Sequence, residues 1–439
     1  MKYISKLDTG FRPVILEWRE FQKTADKPIS ITIEDADGFN FRFDCKIGSD
    51  TQKNYFYIER LTKSLLWIAG GHKIYIEGAD DIAIKLKADY AQGGTRFFDA
   101  DFMANIYGKP FEVICGTQPE EKRRFVNAGG KTDGCRIGFD AGGSDRKVSA
   151  VIDGEVIFSE EVLWHPKQQS DPQYHYDGIV SALKTAAEKL PKVDSIGVSS
   201  AGIYINNLTM AASLFIKVPK EKYNLASNIY IRAAAEIGKD IPVTVANDGD
   251  VTAIAGGISL NSNNVLGIAM GTSEAGGYLN SRGGLNGWLS ELAFVPCDLN
   301  PDSAFDEWSG DSGTGVKYFS QDAVMLLCAK AGITLDENLS LAEKLVFVQE
   351  LMKNGDKRTE EIYRTIGIYL GYTLPFYALF YEIDYALILG RVLSGAGGNL
   401  IVETAQTILK EEFPDLNIKI VTPDEKFKRV GQSIAASSL

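Results

Sequence analysis

The sequence predicts an α/β protein of two lobes, each built on a strand pair with a glycine turn, behind a separate β-rich region. Three observations carry this. At 439 residues, with 45% hydrophobic and 24% charged side chains, the chain is long enough for two or three buried cores. Near Gly134 the pattern changes from short β-prone runs to strands that alternate with helical stretches. An apolar strand running into a glycine-bearing turn then occurs three times, at GFDAGGSDRK, GIAMGTSEAGG and LILGRVLSGAGGNLI.

Residues 1–133 contain PISITIED, FNFRFDCKI, NYFYIERL and KIYIEG, which read as strands between Asp/Gly/Asn turn clusters. No helix–turn–helix pattern with a basic recognition helix is present there. FFDADFMANIYGKPFEV carries enough aromatic and apolar side chains to dock on the body that follows, and KRRFVNAGGKTDG reads as a linker. The region suits a lid, a self-association surface giving a homodimer, or a carbohydrate-binding appendage.

The first lobe is expected over 134–256. It comprises CRIGFDAGG, a hairpin around Asp153-Gly154, the amphipathic helix GIVSALKTAAEKL ended by Pro191, the strand SIGVSSAG, and PVTVANDGDVTAIAGG. The second lobe is expected over 257–424, opening with NNVLGIAMGTSEAGGYLN, in which Gly276-Gly277 lets the chain turn back. Residues 425–439 form a closing helix that returns to the first lobe.

Composition excludes several functions. A formal charge of -12 argues against partners gathered by phosphate contacts, so nucleic acid is not expected. No apolar run is long enough to cross a bilayer and MKYISKLDTGFRP lacks the apolar core of a secretion signal, which points to the cytoplasm and to no membrane partner. Five cysteines, an odd number without CxxC spacing, suit reduced thiols. His165 and His175 flank a polar stretch, WHPKQQSDPQYHY, that reads as a loop near a substrate mouth rather than a zinc site.

The glycine turns suggest the chemistry. In GFDAGGSDRK the strand delivers Asp140 to a turn where Gly142 and Gly143 let backbone amides approach an anion and Ser144 adds a hydroxyl. Such a turn can hold phosphate, with Asp140 holding Mg²⁺ through water; a structural hairpin is the alternative. Gly271, Thr272 and Ser273 repeat the layout, so the two turns could face one another across a cleft. The third turn, with Gly390 and Gly395 before a helix start, suits a nucleotide's sugar, base or α-phosphate. Asn247 and Asp248 follow an apolar strand, where a carboxylate points into the crevice that α/β ligands use. Asp248 can orient a hydroxyl and take its proton, or can simply cap the following helix.

In this order and spacing the elements resemble the ROK family (repressors, open reading frames and sugar kinases) of the actin/hexokinase/heat-shock ATPase superfamily, over residues 134–439. The resemblance implies a two-lobed, actin-like, ribonuclease H-like fold that uses ATP and Mg²⁺ to phosphorylate a sugar hydroxyl. It implies Asp248 as general base, Asn247 as a sugar contact, and Glu291 in SELAF as an acceptor for a sugar hydroxyl. Ser200 and Gly202 would line the same pocket. The family's zinc ligands have no counterpart: Phe294 stands at the histidine position and CDLNPDSAFDEWSGDSGTGVKYFS replaces the cysteine loop, so no zinc site is expected. Within it, Asp306, Glu307, Trp308 and Asp311 offer acceptors and a stacking surface, or a solvated acidic loop. A weakly catalytic sugar- or nucleotide-sensing regulator of the same fold is the alternative to a kinase, and DNA-binding repression follows only by analogy.

Overall fold

The computed structural model of the chain describes residues 1–127 and 129–439, the side chains of 425–430 excepted. It divides into two compact units. The first comprises Met1–Arg124, Ile268–Gly276 and Gly287–Thr422; the second comprises Phe125–Gly267, Gly277–Asn286 and Pro423–Leu439. The boundary at 124/125 falls inside the predicted linker, whose Ala128 lies outside the described residues.

The first unit opens with α1 (Val14–Thr24), β1 (Lys27–Glu34), β2 (Asn40–Ile47), α2 (Thr51–Ala69), β3 (Lys73–Glu77), α3 (Asp80–Asp89), α4 (Phe97–Tyr107) and β4 (Glu112–Cys115). Its sheet runs β2-β1-β3-β4. The region is therefore mixed α/β, which corrects the β-rich expectation. NYFYIERL, expected as a strand, lies in α2. Asp50 caps that helix by accepting from the Gln52 and Lys53 amides, and Ile58, Leu61, Leu65 and Ile68 recur at helical spacing on its buried side. Strand propensity of the aromatic residues 55–57 is overridden by this cap and burial.

Nor is 1–133 a domain apart. Four backbone hydrogen bonds join it to the later part of the same unit: Val14 N–H to the Cys297 carbonyl, Leu299 N–H to Arg12, Ser290 N–H to Ile68, and Glu291 N–H to Trp67. The docking expected of FFDADFMANIYGKPFEV is present, with Phe98 and Phe102 of α4 packed in one aromatic group with Trp67, Phe294 and Trp308.

The second unit holds β5 (Cys135–Ala141), β6 (Asp145–Ile152), β7 (Glu155–Leu163), α5 (Pro172–Ala187), β8 (Ser195–Ser200), β9 (Ile203–Ile205), β10 (Leu208–Ala211), α6 (Tyr223–Ser227), α7 (Ile229–Ala235), β11 (Val243–Asn247) and α8 (Asp248–Leu260). Its sheet runs β11-β8-β5-β6-β7, with β11, β8 and β5 mutually parallel and β6 and β7 antiparallel. Asp153 (φ 48°) and Gly154 (φ 81°) make the predicted hairpin turn. Ile137, Phe139, Ile196 and Val198 carry the sheet's side of the core, against Ile179 and Leu183 of α5 and Tyr230 of α7. Lobe one was expected to stop at 256. Gly256 and Gly257 are instead buried inside α8, which runs on to an Asn261 cap in the left-handed region, and the unit continues to Gly267.

Next come β12 (Val265–Met270), β13 (Glu274–Leu279), the short pair β14 (Phe305–Asp306) and β15 (Asp311–Ser312), α9 (Gln321–Lys330), α10 (Leu341–Lys353), α11 (Lys357–Tyr377), β16 (Tyr385–Leu389), α12 (Ala396–Glu412), β17 (Lys419–Val421) and α13 (Glu425–Ser437). Strands β13-β12-β16-β17 form a sheet in that order. Residues 271–273 make the β12–β13 turn, so Gly276 and Gly277 do not reverse the chain as expected; they lie within β13.

The closing helix α13 packs on β5, β8 and α8 of the second unit. Contact is so close that a Cβ at Gly138 would overlap the Ser433 carbonyl oxygen, and one at Gly197 the Ala436 carbonyl oxygen. Ser149 and Ser433 share a hydrogen bond of 2.8 Å across the same seam. Among the described residues no helix is long and apolar enough to cross a membrane. Gly197→Ala is expected to lower unfolding free energy by about 1–3 kcal/mol through overpacking, read as a shifted urea midpoint.

Candidate functional site

Parallel pairing in the second unit aligns three strand ends. Asp140 stands opposite Ser199, and Ala141 and Asn247 both stand opposite Ser200. Because side chains alternate along a strand, Asp140 and Ser199 share one face. The Ser199 hydroxyl lies beside the Asp140 carboxyl and also donates to Gln432 Oε1 at 3.1 Å. Gln432 in turn donates to Thr252 Oγ1 at 2.6 Å and to the Asp248 carbonyl at 3.4 Å. The closing helix thus ties two of the three strand ends together.

Asp248 begins α8, but Asn247 is its N-cap. The Asn247 Oδ1 accepts the Gly249 N–H at 2.7 Å, while its Nδ2 donates to the Gly202 carbonyl at 2.7 Å. Capping is therefore assigned to the neighbour, and the Asp248 carboxylate accepts only a longer bond, 3.1 Å, from the Gly249 N–H. Burial raises its pKa; that amide, its own backbone N–H and the Lys167 ammonium oppose the rise. Asp140 is pushed up to about 6, by burial first, against the Ser199 hydroxyl and with the Asp248 charge adding. Both carboxyls are thereby better proton acceptors near neutrality than exposed aspartates. Asp250 is a different case: half-buried, it accepts from the Tyr278 N–H at 3.1 Å and is pushed up to about 7, chiefly by desolvation.

The β5–β6 turn projects beside this row. Gly143 and Ser144 are exposed, the Gly142 carbonyl accepts from Trp164 Nε1 at 2.8 Å, and the Lys167 ammonium lies 3.4 Å from where a Gly143 Cβ would stand. Lys167 therefore adds positive charge both at the turn and toward Asp248. Of the two histidines flanking its loop, His165 is exposed. His175 is a core residue, its Nε2 3.0 and 3.1 Å from the Pro166 and Leu214 carbonyl oxygens.

In the first unit, the Gly271 N–H donates to the Ser273 carbonyl and the Gly271 carbonyl accepts from Gln321 N–H at 2.8 Å, leaving Thr272 and Ser273 exposed at the tip. Gly390 (φ 106°) sits against the Met270 backbone, where a Cβ would clash, so the third turn lies beside the second. Gly395 (φ 81°) is the N-cap of α12. Glu291 precedes the 3-10 turn Leu292–Phe294, and its charge adds to the raised pKa of Glu274. Glu274 is turned into the interior of this unit, 3% exposed. It is pushed up to about 8 by burial, which outweighs the Tyr377 hydroxyl beside it.

Among solved structures, the chain is similar to a ROK family transcriptional regulator, a homologue of the E. coli MLC protein. The TM-score is 0.54 and identity 15%, covering 69% of this chain and 78% of that one. A ROK hexokinase from Thermus thermophilus matches at a TM-score of 0.50 and 16% identity, covering 69% of this chain and 96% of that one. The fold is that of the ROK proteins. No protein-family model and no curated relative matches the sequence.

Within this ROK fold, the predicted residues fall into two groups. Asp140, Gly142, Gly143, Ser144, Gly202, Asn247 and Asp248 gather at the strand ends of the second unit; Gly271, Thr272, Ser273, Gly390, Gly395 and Glu291 belong to the first. Ser200 does not fit the pocket-lining role expected of it. It is fully buried, and its hydroxyl accepts from both Tyr204 and Tyr230, at 2.7 and 2.8 Å. It sits one residue beyond Ser199 and so faces the core side of the sheet. Asn247 retains Oδ1 lone-pair capacity, but both ends of its amide already hold backbone. Lys167 and Gln432 were missed. Neither carries a local motif, and both reach the row from elements distant in sequence.

The buried carboxyls set a pH dependence of stability. Glu274 and Asp250 hold their protons more tightly folded than unfolded, where acidic side chains titrate near 4. Their contribution is full below that range and is lost as pH rises through about 7 and 8. Glu274→Gln, which stays neutral, should flatten the fall in melting temperature between pH 5.5 and 8.5; an unchanged slope would remove Glu274 as its source.

Proposed function

We propose that this chain is an ATP-dependent phosphotransferase acting on a hydroxyl of a sugar or sugar-like substrate, with Asp248 as general base. One observation carries the reading: the parallel register brings Asp140 and Asn247-Asp248 to one edge, beside an exposed glycine turn and Lys167. The Asp248 carboxylate accepts from backbone amides, and its raised pKa suits acceptance of a hydroxyl proton as that oxygen attacks phosphorus. Asn247 fixes the backbone on either side of the base, through the Gly249 amide and the Gly202 carbonyl. The exposed amides at Gly143 and Ser144, with the Lys167 ammonium, suit phosphate oxygens. Thr272 and Ser273, and the Gly390 and Gly395 turn, are assigned to nucleotide on the same reasoning. Glu291 is assigned to a sugar hydroxyl.

Mg²⁺ fits the residues present. One half-buried carboxylate, Asp140, with phosphate oxygens and waters is the donor set that ion takes, and among the described residues no three His, Cys, Asp or Glu side chains gather into a protein cage. When bound, the nucleotide and ion supply the phosphoryl group and offset its charge. A sugar kinase is in keeping with the ROK hexokinase among the structures this fold is similar to.

Asp248→Asn should lower kcat by about 10²–10⁴ with the KM for ATP unchanged, measured by ADP release with a responsive sugar; undiminished turnover would remove Asp248 from the base role. Lys167→Ala should raise the KM for ATP about tenfold, leaving the sugar KM in place. A second reading, a ligand-sensing regulator, is favoured by the regulator among the neighbours and by the full commitment of Ser200 to two tyrosines. ADP release stimulated by no sugar, with sugar binding intact, would decide for the sensor.

A further inference from the structure

Residues 305–312 form a minimal hairpin in the first unit, with only two paired positions, Phe305 with Ser312 and Asp306 with Asp311. So short a ladder does not hold itself in water. Its tip, Glu307-Trp308-Ser309-Gly310, is pinned from inside: Asp306 accepts the Ser309 N–H at 2.9 Å and the Ser309 hydroxyl, and the Gly310 N–H donates to the Asp306 carbonyl. Its base is pinned more heavily. The buried Asp311 carboxylate faces Arg60 and Arg96 at 3.0 Å and Lys63 at 3.4 Å. Glu59 completes the pairing of the two arginines, and Asp99 holds Lys63 at 2.8 Å and Trp67 Nε1 at 2.9 Å. Three cations meet three carboxylates, none more than 12% exposed. A buried cluster of this kind is a poor source of net stability, because desolvation offsets the attraction; what it supplies is a fixed geometry.

The residue whose position it fixes is Trp308. Phe98 and Phe102 meet the indole edge-on, at 5.4 and 6.1 Å between centroids, and Phe294 lies 5.0 Å away, yet Trp308 is 61% exposed. A large aromatic ring is thus clamped along one side and left open on the other, at a site where ordinary packing would have buried it. Beside it stands Glu307, 77% exposed, held by Lys317 at 2.8 Å. Phe294, which the indole touches, ends the 3-10 turn that follows Glu291, so the ring packs on the turn that carries the proposed hydroxyl acceptor. Of the four loop residues that suggest a carbohydrate site in the sequence, Asp306 and Asp311 are consumed internally, and Trp308 and Glu307 face solvent.

We propose that Trp308 is the stacking platform of a carbohydrate subsite, on which a pyranose lays its C–H face while Glu307, held by Lys317, takes hydroxyls at its rim. The proposal deepens the sugar-directed reading above and rests on it for the link to Glu291. A ring held before the ligand arrives loses little freedom on binding, and the ion cluster is the device that holds it.

The test uses the full chain, with glucose, mannose, N-acetylglucosamine and maltose as probes in two assays, calorimetric binding and ADP release. Trp308→Ala should weaken carbohydrate binding and raise the sugar KM about tenfold while the KM for ATP stays within about twofold. Trp308→Phe should recover most of the loss. Asp311→Asn, which touches the ion cluster and not the ring, should move the sugar KM in the same direction and increase acrylamide quenching of tryptophan fluorescence, to which the other four tryptophans contribute less because each is more buried. If sugar binds and Trp308→Ala abolishes that binding, the platform stands even where no sugar supports ADP release and the kinase reading fails. Sugar turnover with an unchanged sugar KM in Trp308→Ala overturns the platform and leaves the kinase reading intact. No heat with any probe overturns it, as does a change of oligomeric state in Trp308→Ala on size exclusion, which would make the ring a protein contact.

Discussion

The parallel hydrogen-bond register of β5, β8 and β11 is the constraint on which the candidate site depends. A strand covered on both faces cannot slip by one residue without moving its whole apolar set, and here α5 and α7 pack on one face and α13 on the other. With the register locked, Asp140, Ser199 and Asn247 have nowhere else to be. The two glycines that let α13 lie flat, Gly138 and Gly197, are opposite one another in that same register. The seam that fixes the sheet and the helix that carries Gln432 to Asp248 are therefore one feature.

Buried charge is used in two opposed ways. Around Asp311 every carboxylate has a cation against it, so the geometry of the group is fixed. At the strand ends and behind the second turn, the half-buried Asp140, Asp248 and Asp250 and the buried Glu274 have too little positive charge to match, and each is driven toward its neutral form. Paired clusters position a backbone; underpaired carboxyls hold their protons more tightly than exposed ones. The proposed base belongs to the second kind.

The N-terminal 124 residues act as a brace in the first unit. The α2 carbonyls of Ile68 and Trp67 hold the amides of Ser290 and Glu291, the chain before α1 binds Asp298 through the Arg12 amide at 2.9 Å, and the charges of α2 and Arg96 hold Asp311. The long loop between β13 and α9 is thus fixed at three points by the segment that precedes the glycine-turned strands.

The sequence by itself determined the periodic and local features: the strand–turn units at Asp140 and Gly271, the Asp153-Gly154 hairpin, the strand that ends at Asn247-Asp248, and the closing helix. Each is encoded within some ten residues by apolar alternation and by the turn residue the backbone needs. Only the tertiary structure decided the rest. NYFYIERL became helix because a cap and a buried stripe outweighed its strand propensity, and Ser200 turned to the core because its place in the register put it there. Lys167 and Gln432 joined the site, and Arg60, Lys63 and Arg96 met Asp311, across separations of up to 251 residues. A long-range meeting of that kind leaves no local mark in composition or spacing, because the energy that selects it is packing and charge compensation in the folded chain alone.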